Sequence, residues 1–275
     1  MSNRSIHTLL KNWDEECPLT REEAVEVLNL PEEEMDSLME CAYALRTKYK
    51  GKKVSVQLLT NVRSGNCTQN CAYCAQSKDS QAEIEKYKRV SDEKLYGDND
   101  LVDEKHLARH CIGLSGIGFS DEEIEDLADR IREMKKKDTQ ICCSIGFLTE
   151  KQARILKDAG LDRINHNLNS SRSFYPEICT THTYDQRVNN IKMLQSLGFE
   201  ICSGGIVGMG ESKEDIVDML MDLREINPES VPINFLLPIP GTKLADRDIS
   251  ELTPDYCMKV LCLARLMVPK SDIRC

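Results

Sequence analysis

Three cysteines lie within one short segment, Cys67-Thr-Gln-Asn-Cys71-Ala-Tyr-Cys74. Thiolates at this spacing can surround one compact metal centre, and they select zinc, copper(I) or iron–sulfur clusters. A structural zinc site needs a fourth Cys or His at comparable spacing, and His106 and His110 lack that spacing to the segment. The pattern therefore favours a cubane iron–sulfur cluster with one iron open to a further ligand. The alternatives are a zinc site or three unrelated thiols.

A second polar pattern is the alternation of Asn165, Asn167 and Asn169 along a predicted strand. Alternate residues of a strand face the same side. Because an unpaired buried amide costs ~1–3 kcal/mol, three amides directed at one interior predict a bound polar ligand. His166 is expected to point outward, as a packed or surface histidine.

The elements that must position these residues follow a regular rhythm after Gly51. Short apolar runs alternate with longer amphipathic ones, which implies parallel strands joined by right-handed crossovers. This rhythm predicts a TIM-type (β/α) barrel, whose active site lies at the carboxyl ends of the strands. The cysteine segment directly follows the first strand. The predicted strands are 54–61, 110–115, 141–145, 163–168, 200–207, 230–237 and 272–275, and the main predicted helices are 121–137, 150–159, 184–197 and 213–226.

The barrel is expected to be C-terminally incomplete, because an eighth strand is missing from this rhythm and a closed barrel needs roughly 200 residues or more from its first strand. We expect a helical extension at 1–50 and an open α/β barrel at 51–275. In the extension, Thr20 and Glu23 fit a capping box, and 32–49 is predicted as a second helix. Turn-forming residues at 97–100 predict a broken helix or loop within 91–109, with a short helix from about Val102.

Composition excludes several classes of function. With 275 residues and 40% hydrophobic residues the chain can form a sizeable core, which argues against disorder. The net charge of −10 argues against a global nucleic-acid-binding surface. The sequence shows neither an apolar run of membrane-spanning length nor a secretory signal. Thirteen cysteines in so long a chain indicate reduced thiols rather than a disulfide scaffold. We expect a cytoplasmic protein that binds neither nucleic acid nor membrane.

The Cys67–Cys74 segment, with Tyr73 before its last cysteine, resembles the signature of radical S-adenosylmethionine enzymes. The resemblance implies that Cys67, Cys71 and Cys74 hold a [4Fe-4S] cluster whose open iron is chelated by S-adenosylmethionine. One electron from that cluster would cleave the sulfonium and release a 5′-deoxyadenosyl radical. Tyr73 is then expected at the cofactor site.

Further blocks resemble the biotin synthase family within that superfamily. Ser64-Gly65-Asn66 and Ala75-Gln76-Ser77 flank the cysteines. Four later blocks follow in the right order, at 142–146, 165–169, 202–211 and 231–236. The family resemblance implies insertion of sulfur into dethiobiotin, the last step of biotin biosynthesis, with a reductant such as flavodoxin or ferredoxin and a homodimeric assembly.

The same resemblance implies a second, [2Fe-2S] cluster inside the barrel. Its ligands would be Cys111, Cys142 and Cys202, with Arg274 as the fourth, although the high pKa of a guanidinium normally forbids such a bond. The alternative is that the three cysteines are small buried hydrophobes. Strand alternation directs the neighbouring Cys143 to the opposite face.

The family also implies roles for polar residues. Asn165 and Asn234 would contact the ureido ring of dethiobiotin. Asn167 and Asn169 would contact the ribose and methionine part of S-adenosylmethionine, and Arg187 would pair with the methionine carboxylate unless it is a surface charge. Gly204 and Gly205, in a glycine block, would lie at the cofactor site because the missing side chains let a flat ring approach the backbone.

Five other cysteines are predicted to have packing roles. Cys17, Cys41, Cys257 and Cys262 are expected in helical cores, and Cys179 as a loop or packing thiol. Two other functions remain open. One is a different radical enzyme of the same group, of the hydrogenase maturase or pyrrolysine-pathway mutase type. The other is a non-catalytic, truncated iron–sulfur remnant.

Overall fold

Parallel strands form the centre of the molecule. The computed structural model describes residues 5–10 and 19–275. Strands β1 to β5 pair in sequence order, β5 and β6 both pair with β7, and β7 pairs with β8. The strands are β1 Gln57–Arg63, β2 Arg109–Leu114, β3 Ile141–Ser144, β4 Arg163–Asn165, β5 Glu200–Cys202, β6 Gly205–Val207, β7 Ser230–Phe235 and β8 Asp272–Arg274.

The sheet is an open barrel, as predicted. Within the described residues, β1 and β8 do not pair. Instead, the chain leading into β1 and the residues of β8 face each other across a cavity of about 510 Å³. The wall therefore has seven strand positions, since β5 and β6 share the position beside β7.

Helices connect the strands, and most of them begin at a side-chain cap. Five of them begin with complete capping boxes at Thr20, Ser120, Thr149, Thr183 and Ser212, which satisfy amide groups that have no partner inside the helix. In the described part of the chain, no helix combines the length and the apolar character needed to cross a membrane. The helices are α1 Ile6–Leu9, α2 Arg21–Leu28, α3 Met35–Lys50, α4 Asp92–Glu104, α5 Asp121–Met134, α6 Glu150–Asp158, α7 Tyr175–Ile178, α8 Tyr184–Ser196, α9 Lys213–Ile226 and α10 Pro254–Met267.

The N-terminal helices pack on α9 and α10. Arg21 contacts Asp218 of α9 with 2.6 Å between Nε and Oδ1. The predicted helix 32–49 is a 3₁₀ turn, Glu32–Glu34, followed by α3. Cys41 of α3 packs against the apolar core and Cys262 of α10 is buried in it, while Cys257 is half-buried in α10. Cys17 lies outside the described residues.

The predicted break in the first crossover is wrong, because α4 runs without interruption through 97–100. Two side chains in that stretch bind neighbouring elements. Asp98 accepts hydrogen bonds from Thr60 (2.7 Å) and Lys94 (2.6 Å). Asn99 donates to the Met134 carbonyl (3.1 Å) and contacts Nδ1 of His110 at 3.1 Å. These tertiary contacts override the local turn preference.

The predicted fifth strand, 200–207, is two short strands separated by Ser203 and Gly204. A Cβ at Gly204 would lie 1.8 Å from the carbonyl oxygen of Pro232 in β7. The backbone therefore approaches β7 too closely for any side chain, which is a recurrent role of strand glycines. The predicted fourth strand also ends early, at Asn165.

Candidate active site between two thiol-lined cavities

The cysteine segment follows β1, at the carboxyl end of the strands. Cys67 and Cys71 line a cavity of about 240 Å³ together with Tyr73. Cys74 lies close enough to Cys67 and Cys71 to interact with them electrostatically, and burial raises the pKa of Cys74. The donor set is three neighbouring thiols. This set fits a cluster in which one iron has no protein ligand.

Polar side chains from the end of β4 line the same cavity. Asn165, Asn167 and Asn169 all border it, but β4 ends at Asn165, so strand alternation does not explain why they share it. Asn169 reaches this position with a positive φ of 72°, a conformation that asparagine adopts more readily than most residues. The side-chain oxygen of Asn167 accepts a hydrogen bond from the Gly204 amide at 3.2 Å. The amides therefore form a fixed polar wall.

Arg187 of α8 completes that wall. Arg187 borders the cavity, so it is not simply a surface charge. It donates to the Asn167 carbonyl at 3.1 Å and lies 2.8 Å from Nε2 of His182. It also contacts the Tyr175 hydroxyl. These protein partners fix the orientation of the cation beside the thiols.

His166 packs as predicted but does not point away from the interior. It is 2% exposed, and its ring lies 5.1 Å from that of Phe147 in an edge-on contact. Because β4 ends at Asn165, strand alternation no longer applies, and His166 borders the same cavity. Burial, assisted by the charge of Arg187, lowers its pKa to about 3. The ring is therefore neutral at physiological pH.

A second cavity, of about 280 Å³, opens inside the barrel. The structure brings together in its wall the side chains predicted as ligands of the second cluster and both predicted substrate amides. They come from five strands and the end of β4. These residues are Cys111, Cys142, Cys202, Arg274, Asn165 and Asn234.

The electrostatics of the second cavity lower the pKa of one thiol and raise that of its neighbour. Cys111 and Cys142 are direct neighbours across the β2–β3 ladder. A hydrogen bond from Cys142, together with the positive charge of Arg274, lowers the pKa of Cys111 to about 7 despite burial. The same hydrogen bond and burial raise the pKa of Cys142. Cys143 lies in the apolar core instead, which confirms its predicted orientation.

The two cavities share part of one wall. Asn165 and Ser144 border both. The Asn165 side chain donates a hydrogen bond to Sγ of Cys202 at 3.2 Å, and its oxygen accepts one from Ser144 at 3.5 Å. A ligand bound at Asn165 would therefore lie between the cysteines of the first cavity and those of the second.

Gly204 and Gly205 contact protein atoms. Met219 Sδ would lie 2.1 Å from a Cβ at Gly205, and the Pro232 carbonyl occupies the equivalent space at Gly204. Among the described residues, other side chains form the walls of the two cavities. Packing of β5, β6 and β7 therefore explains both glycines, and a contact with the cofactor stays a prediction.

Sequence reasoning missed two residues beside the cluster segment. Cys179 follows α7 and is buried, and Cys71 donates to it with 3.8 Å between the sulfurs. His182 lies next to Cys179, with 3.3 Å between Nδ1 and Sγ. The Cys-x₂-His spacing of this pair is typical of metal ligands and was the available signal. Gln57 and Ser144, which also border the second cavity, carried no signal.

Comparison with known proteins agrees with this geometry. The model of the radical SAM superfamily matches residues 61–223, and that of the biotin and thiamin synthesis associated domain matches 232–275. Membership of the radical SAM superfamily implies a [4Fe-4S] cluster and S-adenosylmethionine as cofactors. Methylornithine synthase has a similar structure, with a TM-score of 0.85 and 20% identity over 97% of this chain and 77% of that one.

A hydrogenase maturase from Carboxydothermus hydrogenoformans also has the fold, with a TM-score of 0.83 and 20% identity over 98% of this chain and 63% of that one. Two sequence relatives are more similar. The biotin synthase of Geobacillus kaustophilus is 42% identical over 93% of this chain and 77% of its own length. That of Bacillus subtilis is 41% identical over 93% and 76%. The chain therefore belongs to the biotin synthase family of radical S-adenosylmethionine enzymes.

Proposed function

We propose that the protein inserts sulfur into dethiobiotin to form biotin. The observation that carries this proposal is the wall shared by the two thiol-lined cavities, with Asn165 at the junction. Sulfur insertion needs one substrate carbon to meet first a hydrogen-abstracting group and then a sulfur donor. A substrate held between two such centres meets both requirements without leaving the site.

Residues around the first cavity are suited to the family cofactors. Cys67, Cys71 and Cys74 would hold the [4Fe-4S] cluster, which together with S-adenosylmethionine supplies a 5′-deoxyadenosyl radical when bound. A guanidinium has five N–H donors, so Arg187 keeps donors for the methionine carboxylate beside its protein partners. Asn167 and Asn169 would bind the ribose and amino-acid part, next to Tyr73.

Residues around the second cavity are suited to holding a consumable sulfur source. Cys111, Cys142 and Cys202, with Arg274, would bind a [2Fe-2S] cluster whose sulfide is the co-substrate. The lowered pKa of Cys111 supports this assignment, since a metal ligand must be a thiolate. In the cluster-free chain, the positive charge of Arg274 stabilises that thiolate.

Two amides would orient the substrate. Asn165 and Asn234 both border the second cavity, and each side-chain amide offers a carbonyl acceptor and N–H donors. A ureido ring offers the complementary groups, one carbonyl and two N–H. Holding that ring at Asn165 would place the alkyl part of dethiobiotin between the two centres.

The proposal has consequences for partners. A reductant such as flavodoxin or ferredoxin would deliver the electrons, and the cytoplasm, where thiols are kept reduced, would be the compartment. We also propose a homodimer, on the strength of the family relationship.

The test is an anaerobic assay on the full chain. After reconstitution with iron and sulfide, the protein should hold about six irons, four in one cluster and two in the other. With dithionite, S-adenosylmethionine and dethiobiotin it should yield 5′-deoxyadenosine and biotin. About four irons and 5′-deoxyadenosine without biotin would identify a different radical enzyme. A filled first cluster that leaves S-adenosylmethionine intact would identify a non-catalytic remnant.

A further inference from the structure

Three side chains beside the first cavity converge on one point. Sγ of Cys71, Sγ of Cys179 and a ring nitrogen of His182 all lie within 4.8 Å of one another. Two of the three, Cys179 and His182, are buried. The function proposed above uses only Cys71 as a ligand. It gives Cys179 no role, and it uses His182 only as a contact of Arg187.

The distances suit a single tetrahedral metal ion. The sulfurs are 3.8 Å apart, and Sγ of Cys179 lies 3.3 Å from Nδ1 and 3.7 Å from Nε2 of His182. Tetrahedral zinc with its usual bond lengths places two sulfurs about 3.8 Å apart and sulfur about 3.6 Å from nitrogen. The sulfur–sulfur separation therefore suits one ion. Because Sγ of Cys179 is almost equally far from both ring nitrogens, the His182 ring must turn to direct one lone pair at that ion. Ligands of different irons in a cubane lie further apart, so this spacing does not suit a shared cluster.

The surrounding hydrogen bonds prepare His182 for this role. Oε1 of Gln69 lies 3.0 Å from Nδ1. Because an amide oxygen only accepts, it holds the ring proton on Nδ1 and leaves the lone pair on Nε2, an arrangement typical of metal-binding histidines. In the structure that lone pair accepts from Arg187 at 2.8 Å. An ion bound at Nε2 would replace this contact with Arg187.

The segment after α7 is fixed to the cluster segment. Oδ1 of Asn70 accepts from the amides of Thr180 (3.0 Å) and Thr181 (3.3 Å). The amide of Ala72 donates to the Ile178 carbonyl at 2.8 Å. These contacts hold Cys179 beside Cys71 before any metal arrives. Such preorganisation lowers the entropic cost of binding.

We propose that, in the cluster-free protein, Cys71, Cys179 and His182 bind one thiophilic divalent cation such as Zn²⁺. Binding would release the thiol protons of both cysteines and form two metal–sulfur bonds and one metal–nitrogen bond. A water molecule from the cavity that Cys71 and His182 border would take the fourth position. The bound ion would occupy Cys71 and so exclude assembly of the [4Fe-4S] cluster. This exclusion rests on the proposed function, whereas metal binding itself does not.

Cobalt(II) titration of the full-length, cluster-free chain tests the site. In a Cys67→Ala/Cys74→Ala background, adding Cys179→Ser should remove one equivalent of tightly bound Co²⁺, together with its thiolate-to-cobalt charge-transfer bands. The remaining affinity should be at least 100-fold lower, more than the roughly 10- to 100-fold cost of losing an outer partner. Gln69→Ala should weaken binding roughly tenfold for that reason. Cys41→Ser, in α3, is the matched control and should leave the titration unchanged.

Two results would overturn the proposal. One is unchanged Co²⁺ stoichiometry after Cys179→Ser in protein whose circular dichroism shows it to be folded. The other is X-ray absorption of the zinc-loaded background protein that lacks an imidazole ligand, or keeps one after His182→Gln. Zinc loading should also slow cluster assembly in the wild type and not in Cys179→Ser. If the protein formed no biotin but bound cobalt as expected, the proposed function would be contradicted and the metal site would not.

Discussion

The side-chain amide of Asn165 donates a hydrogen bond to Sγ of Cys202, with 3.2 Å between nitrogen and sulfur. The two residues are direct neighbours across the β4–β5 ladder. The contact joins the group proposed to bind the substrate to a thiol proposed to bind the sulfur source. The position of the Asn165 amide therefore depends on the position of the Cys202 thiol.

Replacing Asn165 with alanine should weaken dethiobiotin binding more than it weakens cofactor binding. Removing one partner of a buried hydrogen bond costs about 1–3 kcal/mol, so the Kd for dethiobiotin should rise roughly tenfold. Isothermal titration of the anaerobic protein measures this. Because Asn165 also orients Cys202, the ratio of biotin to 5′-deoxyadenosine should fall.

The control for that experiment is Asn29→Ala, at the exposed end of α2. It should leave both the affinity and the product ratio unchanged. An Asn165→Ala protein with wild-type affinity for dethiobiotin would contradict the proposed substrate contact.

Adjacent cysteines of β3 provide a matched pair of variants. Cys142 faces the second cavity, whereas Cys143 is fully buried in the core. Cys142→Ala should lower the iron content of reconstituted protein by about two per chain, the content of one [2Fe-2S] cluster. Cys143→Ala should keep all of the iron and lower the free energy of unfolding by about 1 kcal/mol, because it leaves a small cavity. Equal iron loss in both variants would rule out the second cluster at this site.

Local patterns predicted the parts of the fold that local physics controls. The Thr20–Glu23 capping box, the strand–helix alternation and the opposite faces of Cys142 and Cys143 all depend on neighbours in sequence. They are found as predicted. The site residues that came from pattern were also brought together, with the asparagines on one wall.

The misses share a different cause, because each depends on a contact from a distant element. Helix α4 continues through 97–100 because Thr60 and His110 bond its side chains. The fifth predicted strand breaks where Gly204 meets Pro232. Cys179 reaches Cys71 only through the course of the chain after α7. Sequence spacing does not encode such approaches.

Two glycine variants test the break between β5 and β6 and the uninterrupted course of α4. Gly204→Ala should lower the free energy of unfolding by about 3 kcal/mol or more, at the upper end of overpacking costs, because the opposing atom is a backbone carbonyl 1.8 Å from the new Cβ. A Cβ at Gly97 would meet nothing within 4 Å. Gly97→Ala should therefore stabilise α4 by roughly 0.5–1 kcal/mol. Denaturant titration of the cluster-free chain measures both. A well-folded Gly204→Ala protein would show that β6 can move away from β7.

Acid should remove one identifiable contribution to stability, that of Asp215 at the start of α9. Burial opposes its ionisation, but hydrogen bonds from Ser171 (2.6 Å), Ser173 (2.7 Å) and Ser212 (2.7 Å) outweigh burial and lower its pKa to about 2. A pKa below the unfolded value stabilises the folded state at pH above about 4, and the contribution is lost as pH falls toward 2. Asp215→Asn should therefore cost about 1.5–3 kcal/mol at pH 7, as for hydrogen bonds to a charged group. The difference from wild type should shrink as the pH is lowered. The exposed control Asp138→Asn should have a free energy of unfolding within about 0.5 kcal/mol of wild type. If the free energy of unfolding of Asp215→Asn differed from wild type by the same amount at every pH, the assignment would be contradicted.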